Sequence, residues 1–283
     1  MDKKELRNQL SDYYSTSTGY LAGLQEKGPT YFRHYMEMVS NLAKEESMIL
    51  DLGCGPGIST RLLKSRFGNT FGADLSFLFV QSDGDGDKIV CDAHDLPVSD
   101  NSLDLIASFE FIEHICDAEK VLDEMVRTVK PDGKILIMSP NLYSPLIPVK
   151  ALLSYLHGQK RSSPWTSTFF SIFSRFFYNL SMIVVRKADP NPRFRYRTPD
   201  LSPWADQGGD FDSVFMANPL DISKYLRRRG CRILSTSIGQ SRAGKLISRY
   251  LPSFATGMVI IAEKRGEGVQ NKMKSRIDGR SHR

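Results

Sequence analysis

The chain has few cysteines, and none of them forms a closely spaced pair. Cys54, Cys91, Cys116 and Cys231 are the only four in 283 residues. Structural zinc sites and disulfide frameworks need cysteines at set spacings such as Cys-x-x-Cys, so we expect neither. The N-terminus carries charges with no apolar stretch after them, which argues against a secretory signal. We therefore expect a cytoplasmic protein.

Residues 48–57, MILDLGCGPG, form the most informative stretch of the chain. An apolar run ends in Asp51, and glycines then recur at every second position. Glycine admits positive φ and lets a ligand approach the backbone, and the residues from Ile58 to Leu63 are predicted to form a helix whose N-terminal amides face the turn. The turn lacks the Gly-Lys-Ser/Thr ending of a phosphate-binding P-loop. The pattern therefore predicts a strand, a bare backbone turn and a helix around another kind of ligand.

A second strand, residues 69–74, ends in an acid. Asp74 follows the first turn by about 20 residues, where a doubly wound sheet places the carboxylate that binds ribose hydroxyls. Further strands are predicted at 88–91, 103–108 and 134–138, with a helix over 118–129. This alternation predicts an α/β fold with a largely parallel sheet.

Taken together, these residues resemble the class I S-adenosylmethionine-dependent methyltransferases, in the broad ubiquinone/menaquinone-biosynthesis-like group. The resemblance rests on residues 49–57, on Asp74, on Asp92-Ala93, on residues 96–104 and on Lys130-Pro131-Asp132-Gly133. It implies a doubly wound, Rossmann-like seven-stranded sheet with the last strand antiparallel. It also implies that S-adenosyl-L-methionine is the cofactor.

The resemblance further implies which residues contact the cofactor. The glycines would lie against the methionine moiety, Asp74 would bind the ribose, and Asp92 with Ala93 would flank the adenine. The full predicted set is Asp51, Gly53, Cys54, Gly55, Gly57, Asp74, Leu75, Asp92, Ala93, Ser108 and Phe109. The short segment 81–87, rich in Asp and Gly, truncates the second helix that the family usually has.

His114 is the candidate general base. It lies just beyond the fourth predicted strand, and its ordinary pKa near neutrality suits proton removal from a hydroxyl acceptor. The alternative is a structural histidine that hydrogen-bonds a neighbouring loop. Glu110 and Glu113 precede it in a Glu-x-x-Glu-His pattern similar to that of ubiquinone-biosynthesis O-methyltransferases. We nevertheless assign no metal, because such residues near a strand end more often serve as caps and cofactor contacts.

The chain divides into five predicted parts. They are an N-terminal helical cap (1–46), the cofactor-binding half (47–141), a largely helical substrate-binding or lid insertion after the fifth strand (142–218), a C-terminal helix and strands that complete the sheet (219–263), and a basic tail predicted to be disordered (264–283). The predicted acceptor ligands are Tyr143, Tyr196, Asp210 and Asp212.

Within the insertion, residues 166–185 place apolar side chains at helical spacing. Arg175 interrupts this face, which argues against a transmembrane span. Two interpretations stay open: a lid that packs on the core, and peripheral contact with an anionic membrane through 146–186, because Lys160-Arg161 and Arg186-Lys187 flank the helix.

The sequence therefore favours an S-adenosylmethionine-dependent methyltransferase that O-methylates a small or lipid/glycan-linked acceptor. One alternative is an RNA methyltransferase that uses the basic clusters, although the chain lacks the Asn/Asp-Pro-Pro-Tyr/Phe motif of amino-group methylation. The other is a non-catalytic cofactor-binding module. Neither the acceptor nor the oligomeric state follows from the sequence.

Overall fold

The computed structural model describes residues 2–82, 87–156, 169–201 and 210–266, which build one sheet with helices on both faces. The strands are β1 (Ile49–Leu52), β2 (Thr70–Asp74), β3 (Lys88–Val90), β4 (Leu103–Phe109), β5 (Val129–Pro140), β6 (Cys231–Ser235) and β7 (Gly257–Lys264). The helices are α1 (Lys3–Thr16), α2 (Thr18–Gln25), α3 (Pro29–Leu42), α4 (Ile58–Lys64), α5 (Phe77–Gln81), α6 (Ala118–Thr128), α7 (Leu146–Leu156), α8 (Phe169–Ala188), α9 (Pro219–Arg228) and α10 (Arg242–Tyr250).

The strand order is β3-β2-β1-β4-β5-β7-β6, and this order confirms the predicted fold class. The first five strands run parallel, whereas β7 is antiparallel to both β5 and β6. Parallel neighbours end at the same edge of a sheet, and ligands of open α/β folds bind outside that edge. The ends of β1, β2 and β4 therefore share one crevice.

Alternating side chains of β4 bury themselves in two cores. Leu105 and Ala107 pack in a cluster with Tyr35 and Val39 of α3, whereas Ile106 belongs to the cluster that contains the buried apolar residues of α6. The period of two along a strand explains this division, because successive side chains point to opposite faces. Both faces of the central strand are therefore covered by helices.

Three local differences separate the observed elements from the predicted ones. Strand β5 begins at Val129 rather than Lys134, because Val129 pairs with Leu103 across an irregularity in register. Asp132 adopts a positive φ within that strand, so residues that read as a turn are absorbed as a distortion of the strand. Helix α10 is a second helix in the C-terminal part, for which the sequence predicted one helix. Helix α5 has only five residues, as expected for a truncated second helix.

Asn141 fixes the point where the chain leaves the sheet and enters the insertion. Its side chain is buried, and its amide nitrogen donates to the carbonyl oxygens of Ser253 and Ala255, at 2.9 Å each. The insertion thus starts from a fixed point beside the end of β5. Within the described residues, no helix is long and apolar enough to cross a membrane.

Replacing Asn141 with alanine should lower the free energy of unfolding by about 1–3 kcal/mol, because two buried carbonyls lose their donor. Urea unfolding monitored by circular dichroism measures this change. The matched control is Asn69→Ala, which removes a similar bond to the carbonyl of Glu46 at an exposed site. A loss at Asn141 no larger than the loss at Asn69 would contradict this account.

Candidate active site

The glycine turn after β1 adopts the backbone conformation that its sequence predicts. Gly53, Gly55 and Gly57 have φ values of +75°, +54° and +89°. A Cβ built on Gly53 would lie 2.2 Å from Cδ2 of Phe111, so contact with the protein itself also requires glycine at this position. Above Gly55 the nearest group is the flexible end of Leu24, at 3.4 Å. The turn is therefore bare backbone that helix α2 covers.

Asp51 ties this turn to two helices. Tyr35 of α3 donates to Oδ1 at 2.7 Å, while Ser59 and Thr60 of α4 donate to Oδ2 at 2.6 and 2.8 Å. Burial raises the pKa of Asp51, and the three hydroxyl donors partly offset this rise. Because protein hydroxyls already occupy both oxygens, the geometry gives Asp51 a positioning role. Direct contact with a cofactor stays a prediction.

Asp74 joins the end of β2 to the glycine turn. Its Oδ2 accepts from the amide of Gly55 at 2.8 Å, and its Oδ1 accepts from the amide of Ser76 at 2.9 Å. Burial raises the pKa of Asp74, against the effect of backbone donors that include Leu75. The two strand ends therefore meet in one crevice, as the sequence predicts, and each carboxylate oxygen keeps further capacity to accept.

The other predicted cofactor residues divide by their surroundings. Asp92 accepts from the amide of His94 at 2.8 Å and pairs with Arg7 of α1. Ser108 is fully buried, and its hydroxyl has no hydrogen-bond partner among the described residues. Of the remaining four, Leu75 is half-buried, and three side chains face protein: Cys54 lies against Gly72, Ala93 lies in the core, and Phe109 stacks on Tyr35. Their contact with a cofactor stays a prediction.

His114 is part of a polar cluster that the fold assembles from distant segments. It ends the 3-10 turn Ile112–His114 after β4, and its Nδ1 lies 3.2 Å from Oδ2 of Asp212. Tyr14 of α1 donates its hydroxyl to the same oxygen at 2.8 Å and lies 3.2 Å from Nδ1. On the other side of the ring, Nε2 lies 3.8 Å from Oε1 of Glu113. Two carboxylates therefore face the two ring nitrogens.

The contacts in this cluster keep Asp212 ionised. Burial acts to raise the pKa of Asp212, but the imidazole of His114 and the hydroxyl of Tyr14 hold it below its ordinary value. Burial, and then the charge of Asp212, raise the pKa of both Tyr14 and Tyr20 well above that of a free tyrosine. Asp212 is therefore a carboxylate at neutral pH, and the two tyrosines are protonated donors.

The sequence supplied His114 and Asp212 separately and did not predict that they pair. Tyr14 and Tyr20 belong to the tyrosine-rich N-terminal cap, which the sequence predicts either to cover the site or to pack on the core, with no hydrogen-bond partner assigned. Helical spacing in this cap marks a buried face, but it does not say which residue 100 or 198 positions away completes a hydrogen bond. The tyrosine-rich composition was the available signal.

The remaining predicted acceptor ligands lie elsewhere or face protein. Tyr143 is buried with Leu142, Met182 and Met216. The hydroxyl of Tyr196 accepts from the amide of Ala118, and its ring packs on Phe215. Acceptor contact by these two tyrosines stays a prediction. Asp210 begins the 3-10 turn Asp210–Asp212, and its side chain lies outside the described residues.

Comparison with known proteins identifies the class. Residues 50–137 match the family model described as a methyltransferase domain. The tocopherol O-methyltransferase of Arabidopsis thaliana is 35% identical over 107 residues, which are 34% of this chain and 31% of that protein. The demethylmenaquinone methyltransferase of Corynebacterium glutamicum is 26% identical over 167 residues, 58% of this chain and 64% of that protein. The chain spans about a third of the length of the first curated relatives it matches.

Solved structures show the same fold. The magnesium protoporphyrin IX methyltransferase from Synechocystis PCC 6803, which contains bound S-adenosylhomocysteine, superimposes with a TM-score of 0.53 at 13% identity, over 91% of this chain and 99% of that one. Residues 50–137 are therefore a domain of the S-adenosylmethionine-dependent methyltransferase class, and S-adenosylmethionine is the cofactor that this class uses. The residues fit that group, because three glycines at positive φ meet the Asp74 carboxylate at the ends of β1 and β2. Gly53, Gly55, Gly57 and Asp74 would hold it.

Asp74→Ala should weaken binding of S-adenosylhomocysteine by about 1.5–3 kcal/mol, because a charged acceptor of hydrogen bonds is lost. Isothermal titration calorimetry measures the affinity. Asp95→Ala is the control, since Asp95 is exposed three residues beyond Asp92. Unchanged affinity in the Asp74 variant would remove this residue from the site.

Asp212→Asn should destabilise the protein in a pH-dependent manner. Because the pKa of Asp212 is lowered in the folded state, its charge stabilises the fold above the ordinary carboxyl pKa of about 3.9. That stabilisation is lost as the pH falls through the lowered pKa. Urea unfolding at neutral pH and at successively lower pH measures the free energy of unfolding of both proteins. The difference in this free energy between the variant and the wild type should narrow below about pH 4. A difference that widens on acidification would contradict the pairing with His114.

Proposed function

We propose that the protein transfers the methyl group of S-adenosylmethionine to a hydroxyl oxygen of a small or lipid/glycan-linked acceptor. The observation that carries this proposal is the His114–Asp212 pair, because it provides a base at the same sheet edge as the glycine turn. Methyl transfer is an in-line displacement, and a hydroxyl acceptor must also lose a proton. S-adenosylmethionine supplies the electrophilic methyl group.

His114 can take that proton through Nε2. If Nδ1–H donates to Asp212, the lone pair of the neutral ring lies on Nε2, and this tautomer follows from the acceptor opposite Nδ1. Proton uptake turns the ring into a cation between Asp212 and Glu113, and both carboxylates stabilise it. Tyr14 donates to Asp212 and so helps to hold the carboxylate in place. Asp212 and Tyr14 are positioning residues in this scheme.

The names of two relatives support an acceptor of limited polarity, whereas the methylated atom varies among the relatives, two of which are named as N-methyltransferases. One is named as an O-methyltransferase of tocopherol, and another is named for demethylmenaquinone. The match to the family model covers residues 50–137 and ends before the insertion. The choice of acceptor is therefore a proposal about residues 142–218 together with the N-terminal helices.

The test combines methyl-labelled S-adenosylmethionine with fractionated cell extract and follows label into lipid, glycan, nucleic-acid and small-molecule pools. Label in lipid, glycan or small molecules is expected. Label in nucleic acid would overturn the acceptor class and favour the RNA alternative. Intact binding of S-adenosylhomocysteine with no labelled pool would favour a non-catalytic module.

With the labelled pool as acceptor, His114→Gln should lower kcat by about 10²- to 10⁴-fold, because general-base assistance is lost. Affinity for S-adenosylhomocysteine should stay as in the wild type. His34→Gln, on α3, is the matched control and should leave kcat unchanged. Equal kcat values for His114→Gln and the wild type would refute the assignment of the base.

A further inference from the structure

Helix α8 turns three of its phenylalanines outward and buries two polar side chains among apolar ones on its inner face. Phe170, Phe173 and Phe177 are 81%, 58% and 52% exposed, whereas Asn179 and Arg186 are each 1% exposed. A helix on a solvated surface shows the opposite arrangement, with its apolar stripe toward the core. The aromatic side chains that the sequence assigned to a single face are thus divided between two faces.

The inward polar groups fix this orientation. Asn179 donates its amide to the carbonyl of Ser144 at 2.8 Å, and Arg175 donates to the carbonyl of Leu142 at 3.4 Å. The guanidinium of Arg186 lies 3.8 Å from the buried carboxylate of Asp221. Rotation of α8 about its axis would break these contacts. The outward position of the phenylalanines therefore follows from specific polar contacts.

Neighbouring helices extend the exposed apolar area. Helix α7, which packs on α8, exposes Leu153 and Leu156, and α10 exposes Leu246 and Tyr250. The 3-10 turn Pro252–Phe254 packs with α10 and bonds the start of the insertion, since Ser144 donates to the carbonyl of Phe254. We call the exposed apolar side chains of α7, α8 and α10 the apolar surface.

The charge of the surrounding sequence shows which partner fits this surface. Residues 133–188 contain seven Lys and Arg, residues 222–262 contain eight, and neither segment contains Asp or Glu. These two segments supply all three helices of the apolar surface. On α10, Arg242, Lys245 and Arg249 are exposed beside Leu246 and Tyr250. Exposed apolar side chains beside exposed cations are typical of contact with an anionic lipid surface.

We propose that the apolar surface rests on a lipid bilayer with anionic headgroups. The phenylalanines of α8 enter the interfacial region, and the cations of α10 contact lipid phosphates. A second copy of the chain fits this surface less well, because a symmetric contact would place the same cations opposite each other.

The location of this surface links it to the proposed site. Helix α7 begins six residues after Pro140, the last residue of β5, and Ser139 of that strand donates to the carboxylate of Glu113 at 2.9 Å. An acceptor dissolved in the bilayer would therefore meet the protein beside the edge that carries His114. This last step rests on the proposed function, whereas the membrane contact does not.

Vesicle co-sedimentation of the full chain tests the contact. The probes are vesicles of phosphatidylcholine alone and of phosphatidylcholine with phosphatidylglycerol, at low and high salt. We expect binding to the anionic vesicles that weakens with salt, because surface charges are screened. The double variant Phe173→Ser/Phe177→Ser should bind the anionic vesicles about tenfold more weakly, since two aromatic groups no longer enter the interface. Arg242→Glu/Lys245→Glu should also weaken binding to anionic vesicles.

Matched controls separate this surface from general properties of the chain. Phe77→Ser removes a phenylalanine that is 63% exposed on α5, and Arg33→Glu/Lys120→Glu reverses two exposed cations outside the acid-free segments. Both controls should bind vesicles like the wild type, and all variants should bind S-adenosylhomocysteine, which shows that they fold. Wild-type vesicle binding by the Phe173/Phe177 variant would overturn the proposal. The proposal would also be overturned if the wild type bound no vesicles and formed a dimer in sedimentation velocity, and if the Phe173/Phe177 variant were a monomer.

Discussion

Glu113 holds the acceptor side of the molecule together. It follows β4 in a 3-10 turn and is completely buried, and its backbone carbonyl accepts from the amides of Val214 and Phe215 at 2.7 and 2.8 Å. Its carboxylate accepts from Ser139 at the end of β5. One residue thus fastens the end of the insertion to two strand ends. The neighbouring His114 and the nearby Asp212 consequently meet with little freedom, as a base and its partner require.

Three aspartates at this edge perform different tasks because their surroundings differ. Asp51 accepts from three hydroxyls and is buried, so it fixes the glycine turn. Asp74 accepts two backbone amides and stays half-buried, which leaves acceptor capacity toward a ligand. Asp212 faces an imidazole and a phenol, and its charge is stabilised as a result. Residue type alone does not distinguish these roles, whereas the donors around each carboxylate do.

The sequence predicts well those features that depend on local patterns of residues. The glycine turn, the acid that ends β2 and the order of the strands depend on short periodicities and on spacing along the chain, and the structure has them at the expected residues. It predicts poorly what long-range contacts decide. Tyr14 reaches His114 across 100 positions, and α10 forms where Gly and Ser residues suggest a loop. Strand β5 begins earlier than predicted, because pairing with β4 outweighs the turn preference of residues 130–133.

The orientation of α8 shows the same limit and also explains why the apolar surface needs a partner. Its inner face buries Ile172 and Ile183 as expected for a core, yet tertiary contacts also draw Asn179 and Arg186 inward. Burying a guanidinium costs free energy that pairing with one carboxylate only partly offsets, and exposing phenylalanines to water adds to that cost. Transfer of the outward face from water to a bilayer interface removes the second cost and leaves the first unchanged. A membrane therefore stabilises the observed orientation of α8 relative to an orientation in which the helix is turned about its axis. Water does not provide this stabilisation.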